Sequence, residues 1–386
     1  MIPFARPWIG EEEAAAARRA ILSGWITQGP EVAAFEQEFS AAVGAPHACA
    51  VSNCTAALHM ALVAVGVAPG DEVITVSHSF IATANAVRQA GALPVFVDVD
   101  AATLNIDPQL VDAAVSERTR AVLCVHQLGM PCDIGALARV ARARGVALIE
   151  DAACAVGSQV RGSSGWEPIG RPHGDIACFS FHPRKLLSTG DGGMLTTRRA
   201  DLDARFRLLR HHGMTVSDTA RHAATTLVAE TYAEPAYNYR MTDIQAAVGR
   251  EQLKRLPAMV ERRRELAARY AALLHEVEDV TAPCEPPWAR TNWQSYAVRL
   301  AAGLDQRAVM QQMLDDGVAT RRGVTTAHRE PAYPPGTWRT TNAGLRRSEL
   351  AQEATILLPL YHELTAAEQD RVVESLARAC ARSRTT

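Results

Sequence analysis

The sequence predicts an α/β protein, with a large N-terminal domain on a mainly parallel sheet flanked by helices and a smaller C-terminal α/β domain. Two patterns carry that expectation. Through the first half, short β-type runs alternate with helix-length segments, as crossover connections in a parallel sheet require. Near Met241 the pattern gives way to a long helical stretch dense in Arg and Glu, after which shorter strands and helices resume. A chain of 386 residues is long enough for one large core and one small one.

The expected strands are 49–52, 72–77, 94–98, 121–126, 147–151, 176–181 and 194–197, which make a seven-stranded sheet. Helical segments 55–65, 82–90 and 134–144 lie between them, and Gly145 follows the last as a C-cap. The last two strands are too close for a helical crossover, so an antiparallel edge is expected. Segment 242–270 reads as one long helical stretch that Pro257 should kink or break. Strand 295–300, helix 305–316, a polar loop through Pro335 and a final helix 365–378 complete the chain. The domains are therefore expected at 1–240 and 241–386, the second beginning with the linking helix. Segment 211–234 has little periodicity and reads as a long excursion, of the kind that is usually functional or part of an interface.

Composition narrows the classes. With 48% hydrophobic and 21% charged residues, disorder is not the default. A net charge of -2 supplies no electrostatic case for nucleic acid or an anionic membrane. No apolar run is suited to span a bilayer and the N-terminus lacks a signal-peptide pattern, so a cytoplasmic location is expected. The cysteines (Cys49, Cys54, Cys124, Cys132, Cys154, Cys178, Cys284 and Cys380) form no C-x-x-C pair and read as free thiols, so no metal site is expected. Among forty basic residues only Lys185 and Lys254 are lysine. A chain that uses Arg for charge invites a chemical question at each Lys, because a guanidinium stays protonated and cannot form a Schiff base.

Three segments bear on that question. In the first, a strand delivers Ser180, Pro183 forces a turn, and Lys185 precedes the corner Gly190-Asp191-Gly192-Gly193. Pyridoxal phosphate (PLP) chemistry needs such a lysine, a hydroxyl for the phosphate, and a scaffold that holds both still; the alternative is a surface lysine in a strand-to-strand loop. In the second, strand 147–151 ends in a carboxylate at the sheet edge where α/β folds put ligands. There Asp151 can pair with a protonated pyridine nitrogen or simply cap a helix. In the third, small polar residues at 52–55 open a helix directly after a strand, where free N–H groups and the helix dipole favour a phosphate and Thr55 adds a hydroxyl. Ordinary capping by Ser52, Asn53 or Thr55 is the alternative. No dinucleotide or P-loop glycine motif competes for the phosphate.

Seven stretches in order resemble the DegT/StrS-type sugar aminotransferases, PLP-dependent transferases of fold type I: 52–59 (SNCTAALH), 79–85 (SFIATAN), 150–153 (EDAA), 180–185 (SFHPRK), 190–193 (GDGG), 237–243 (YNYRMTD) and 358–361 (LPLY). The likeness spans nearly the whole chain. It implies that Lys185 carries the cofactor and shuttles the proton and that Asp151 partners the pyridine nitrogen. Ser180, Thr55 and the Cys54 backbone would hold the phosphate, and Phe80 would lie on the ring face. Asn238 would reach the phosphate of a neighbouring subunit, making the protein a homodimer with shared sites. Two departures stand out. Cys154 occupies a position near the ring where the family often has Gln or His, and a thiol is a poorer hydrogen-bond partner. Cys54 stands where Gly is common, which leaves its N–H available.

On the substrate side, Arg321 and Arg322 are candidates for a diphosphate, and His328 for the sugar or the amino donor; a solvated basic loop is the alternative. The resemblance implies amino transfer from glutamate or glutamine to a nucleotide-linked ketosugar. A ketocyclitol of the scyllo-inosose type is the alternative acceptor. A PLP-dependent sugar dehydratase would carry His in place of Lys185. A non-catalytic sensor would have no use for the full residue set, and a nicotinamide dehydrogenase would need the missing glycine fingerprint.

Overall fold

The computed structural model describes residues 1–163, 165–216, 221–222 and 224–384. Within the expected 211–234 excursion, positions 217–220 and 223 lie outside the described residues. In chain order the first half holds α1 (Glu11–Leu22), α2 (Pro30–Val43), β1 (His47–Val51), α3 (Cys54–Ala64), β2 (Glu72–Val76), α4 (Ala82–Gln89), β3 (Leu93–Val97), α5 (Pro108–Ala114), β4 (Thr119–Val125), α6 (Ile134–Arg144), β5 (Ala147–Asp151), β6 (Gln159–Gly162), β7 (Gly165–Pro168), β8 (Ile176–Ser180), β9 (Gly193–Thr197) and α7 (Ala200–Leu209). The second half holds α8 (Asp243–Leu274), β10 (Val280–Thr281), β11 (Ala289–Arg290), β12 (Tyr296–Leu300), α9 (Gln306–Asp315), β13 (Arg321–Arg322), β14 (Arg339–Thr340), α10 (Arg346–Ala354), β15 (Thr355–Leu358) and α11 (Ala366–Ser383).

All seven expected strands join one sheet, which has eight strands in the order β1-β9-β8-β5-β4-β2-β3-β14. The eighth, β14, pairs in parallel with β3. The antiparallel strand is β9, but it is not the edge: β1 pairs with it on the outside, again antiparallel. Two reversals restore the direction of β1 to that of β8. The C-terminal ends of β1, β8, β5 and β4 therefore share one rim of the sheet, the rim where open α/β sheets bind ligands.

Period two along the strands sorts side chains onto two buried faces. Ala177 and Phe179 of β8, with Leu148 of β5, pack on one face against α2 and α8 residues such as Phe35 and Met259. Ile176, Cys178 and Ile149 pack on the other, against Cys54, Ala57 and Leu58 of α3. By that parity Asp151 and Ser180 fall on the α3 side, and the register pairing Asp151 with Cys178 brings them close.

The C-terminal half builds a separate four-stranded sheet, β10-β12-β15-β13, with its own core around Tyr296, Val298, Ile356 and Leu376. Ile2, from the start of the chain, packs into that core and bridges to Val318. Of the kink or break expected at Pro257, the break does not occur: α8 runs through it unbroken for 32 residues. Leu253, Leu256, Met259 and Val260 flank Pro257 and bury in the first core, while Leu266, Ala267, Tyr270 and Leu274 bury in the second. Burying a large apolar side chain is worth roughly 1.5–3 kcal/mol, so this packing offsets the ~3 kcal/mol that an interior proline costs.

Candidate active site

Where the shared rim meets the second sheet there is a cleft of about 1070 Å³. Lys185, Asp151, Cys154, Ser180, Cys54, Thr55, Phe80, Arg321 and Arg322 all line it. Residues separated by up to 268 positions in the chain thus share one surface.

One end is built for an anion. Asn53 caps α3, its side chain accepting from the Ala56 N–H at 2.8 Å. The N–H groups of Cys54 and Thr55, in the first turn, have no intrahelical partner by construction, and the helix dipole adds positive potential there. The Thr55 and Ser180 hydroxyls line the same cleft. Gly193 makes the close approach possible: a Cβ there would stand 2.6 Å from the Asn53 carbonyl and 2.8 Å from the Cys54 nitrogen.

Deeper in, Asp151 is buried, with its Oδ2 accepting from the Thr83 hydroxyl at 2.8 Å and its Oδ1 from the Ala153 N–H at 3.2 Å. Thr83 and Ser79 share a 2.7 Å bond, one turn apart at the start of α4. Burial pushes the Asp151 carboxyl up, against the pull of Thr83, the Ala153 N–H, Lys185 and His126. His126 lies alongside, its Nε2 3.0 Å from the buried Glu150 carboxylate.

Lys185 Nζ lies 3.0 Å from Cys154 Sγ. Burial opposes the charged ammonium, but Cys154 first, then Asp151 and Cys54, outweigh it and hold Lys185 above the usual lysine range. Lys254, by contrast, is exposed and pairs with Glu251 on its own helix.

Phe80 is 66% exposed at the cleft, which excludes a core aromatic. Arg321 and Arg322 sit on β13, paired with Leu357 and Ile356 of β15. Both are exposed, and the Arg321 guanidinium lies 5.9 Å from the Phe4 ring.

Two expected residues do not line this cleft. The His328 ring is fully engaged elsewhere: Ser77 bonds Nδ1 at 2.7 Å and Glu349 takes Nε2 at 3.3 Å. The ring thus sits outside the cleft and fastens the loop to the end of β2. Asn238 is exposed and its side-chain oxygen accepts from Arg240 Nε at 3.0 Å, outside its own chain's cleft. Thr83, Arg184, Tyr239 and Gln294 line the cleft without having been singled out. Thr83 had a signal, a hydroxyl one helical turn after Ser79 just beyond β2; Gln294 had none.

The sequence profile of the DegT/DnrJ/EryC1/StrS aminotransferase family matches residues 7–377. The chain belongs to that family. Among curated relatives, the spore coat polysaccharide biosynthesis protein SpsC of Bacillus subtilis is 38% identical over 384 residues, covering 97% of this chain and 96% of that protein. Among solved structures, the aminotransferase TlmJ from Streptoalloteichus hindustanus superposes with a TM-score of 0.90 at 36% identity, covering 100% of both chains. The PLP-form of Spr1654 from Streptococcus pneumoniae superposes with a TM-score of 0.89 at 26% identity, covering 99% of each. The protein is thus a PLP-dependent aminotransferase of fold type I. The cleft fits that cofactor: an N-terminal helix turn and two hydroxyl-bearing residues suit a phosphate, a buried carboxylate suits a pyridinium, and an amine lines the same cleft.

Among the described residues, no helix is long and apolar enough to cross a membrane.

Proposed function

We propose that this aminotransferase moves an amino group from glutamate or glutamine to the keto carbon of a nucleotide-linked ketosugar, yielding an aminosugar. The observation that carries the reading is a single cleft joining Lys185, Asp151 and the α3 anion site to two exposed arginines. PLP, when bound, supplies an electron sink for the carbanion that amino transfer requires.

The chain's own residues do the rest. The Cys54 and Thr55 N–H groups and the hydroxyls of Thr55 and Ser180 hold the phosphate and fix the ring's position. Asp151 would pair with the pyridine nitrogen and keep it protonated. Phe80 would cover one ring face, and Lys185 Nζ would carry the cofactor and act as the proton shuttle. Arg321 and Arg322 meet the acceptor's diphosphate with charge-assisted hydrogen bonds. A cleft of about 1070 Å³ lies at the upper end for small-molecule sites, which leaves room for more than a cofactor and an amino acid. The names of relatives agree with a carbohydrate acceptor: SpsC with spore coat polysaccharide, Spr1654 with a sugar substrate. Asn238 completes the phosphate site of a second copy, so the working unit is a homodimer.

The test offers glutamate and glutamine with a panel of nucleotide ketosugars and scyllo-inosose. Turnover of a nucleotide ketosugar is expected. Replacing Arg321 and Arg322 together by Ala should raise the acceptor's KM roughly tenfold or more while leaving the donor's KM nearly unchanged, the loss of 1.5–3 kcal/mol of charged hydrogen bonding. Turnover of the cyclitol alone would move the chain to ketocyclitol chemistry. Dehydration without amine transfer would overturn the reading.

A further inference from the structure

Cys154 differs from the other cysteines in its surroundings. Cys49, Cys54, Cys124, Cys132, Cys178 and Cys380 are buried, and exposed Cys284 has its sulfur 3.6 Å from the Glu285 carbonyl. Cys154 is half-buried, lines the open cleft, and has the Lys185 amine 3.0 Å from its sulfur. A Gln or His at this position could hydrogen-bond a cofactor ring but could not be oxidised at sulfur. A thiol beside a cation, reachable from solvent, is the environment in which cysteines react with peroxides.

We propose that Cys154 and Lys185 form an oxidation site, at which a hydroperoxide joins Sγ to Nζ and so removes the amine from the cofactor's reach. The bond itself follows from the geometry; its consequence rests on Lys185 being the cofactor lysine. In the first step the sulfur attacks the peroxide O–O bond and is oxidised by two electrons to a sulfenic acid, while hydrogen peroxide is reduced and leaves as water. In the second step Nζ first gives its ammonium proton to solvent and then attacks that sulfur; the S–O bond breaks, the S–N bond forms and a second water leaves. Starting from the ammonium, one thiol, one ammonium and one hydrogen peroxide give one sulfenamide, two waters and one proton released to solvent. Reversal needs two equivalents of an external thiol. The first attacks sulfur and expels Nζ, which takes up a proton; the second resolves the mixed disulfide. A lysine already joined to cofactor has no free Nζ to offer, so cofactor loading protects the site.

The test uses the full chain with Cys284→Ser, in cofactor-loaded and cofactor-stripped forms, treated with hydrogen peroxide and digested without reductant. Peptide mass mapping of the stripped form should find the segments bearing Cys154 and Lys185 joined, lighter by two hydrogens than their sum. PLP uptake, followed by absorbance, should be lost in parallel and return after thiol treatment. The loaded form should give little joined peptide. Cys154→Gln, or Cys154→Ser if the larger side chain disturbs folding, should give no joined peptide and keep its own PLP uptake through peroxide treatment. A sulfinate at Cys154 with Lys185 still open to amine reagents would overturn the proposal. So would the absence of joined peptide in a protein whose cofactor borohydride fixes to Lys185, which would leave the lysine's role intact. Joined peptide with undiminished PLP uptake would refute the blocking step, and with it the cofactor role of Lys185.

Discussion

A carboxylate taken out of water stays ionised only where hydrogen bonds and charge replace what burial removes. Asp151 has Thr83 and the Ala153 N–H, and Lys185 and His126 nearby, yet burial still pushes its carboxyl above the ordinary value near 3.8. The fold by itself thus makes the anion costlier than it is in water and leaves it short of a partner. That suits the role proposed for Asp151, in which its full partner would be a pyridinium. Asp151→Asn removes the ionisation. Turnover should fall by about 10²–10³, the usual loss when a group that stabilises developing charge is removed, while cofactor is still retained. The linkage has a definite sign. A raised folded-state pKa gives stability that is fully present below the unfolded value and lost as pH rises through the folded one. In cofactor-stripped protein the melting temperature of Asp151→Asn should therefore match wild type near the acid end and exceed it towards neutrality. Melting curves from pH 4 to pH 8 that run parallel would show that Asp151 is not strained by burial.

At the scale of elements, the seven main strands were legible because each is a short apolar run buried on both faces; that Asp151 and Ser180 share a side needed the β5–β8 register. What stayed illegible depends on distant partners. Strand β14 is only Arg339–Thr340, held by pairing with β3 and by Arg339 bonding the buried Glu72; neither residue resembles a strand former. Nothing local showed that Ser77 and Glu349 would engage both nitrogens of His328, or that cores on both sides would carry α8 through Pro257. The β9–α3 contact is close enough to be probed with a single methyl group. In Gly193→Ala the new Cβ would meet backbone at Asn53 and Cys54, which cannot swing aside as a side chain would. Overpacking of this kind costs typically 1–3 kcal/mol, and here the strain moves the N–H groups assigned to the phosphate. The PLP dissociation constant, measured by fluorescence titration, should rise at least tenfold. An equal stability loss placed elsewhere, such as Leu376→Val in the second core, should leave it nearly unchanged. Equal effects of the two would mean that the helix start is not where the phosphate binds.

For the whole molecule, the segment around Asn238 raises the question of how many chains make one site. Tyr237 and Tyr239 stack at 4.9 Å with their rings 7° apart, the Ser52 N–H bonds the Tyr239 carbonyl at 2.7 Å, and His59 Nδ1 meets the Tyr239 hydroxyl at 3.2 Å. The segment is thus fastened beside the phosphate end of its own cleft, with Asn238 exposed and outside that cleft. A residue held rigidly and turned outward at this point is placed to serve a second copy across a two-fold axis, where each chain would complete the other's site. The consequence is a complementation that no single-chain site can give. Lys185→Ala and Asn238→Ala proteins should each be inactive alone if both residues are essential, with Asn238→Asp held ready should Ala leave residual turnover. After equal mixing and subunit exchange, half of the dimers are heterodimers. Each then holds one site with both residues intact and one with neither, so activity should recover to about a quarter of wild type. Exchange is established independently by mass spectrometry of dimers carrying different isotope labels. With exchange demonstrated, activity that stays at the level of the separate variants means that Asn238 acts on its own subunit or not at all, and the shared site is wrong.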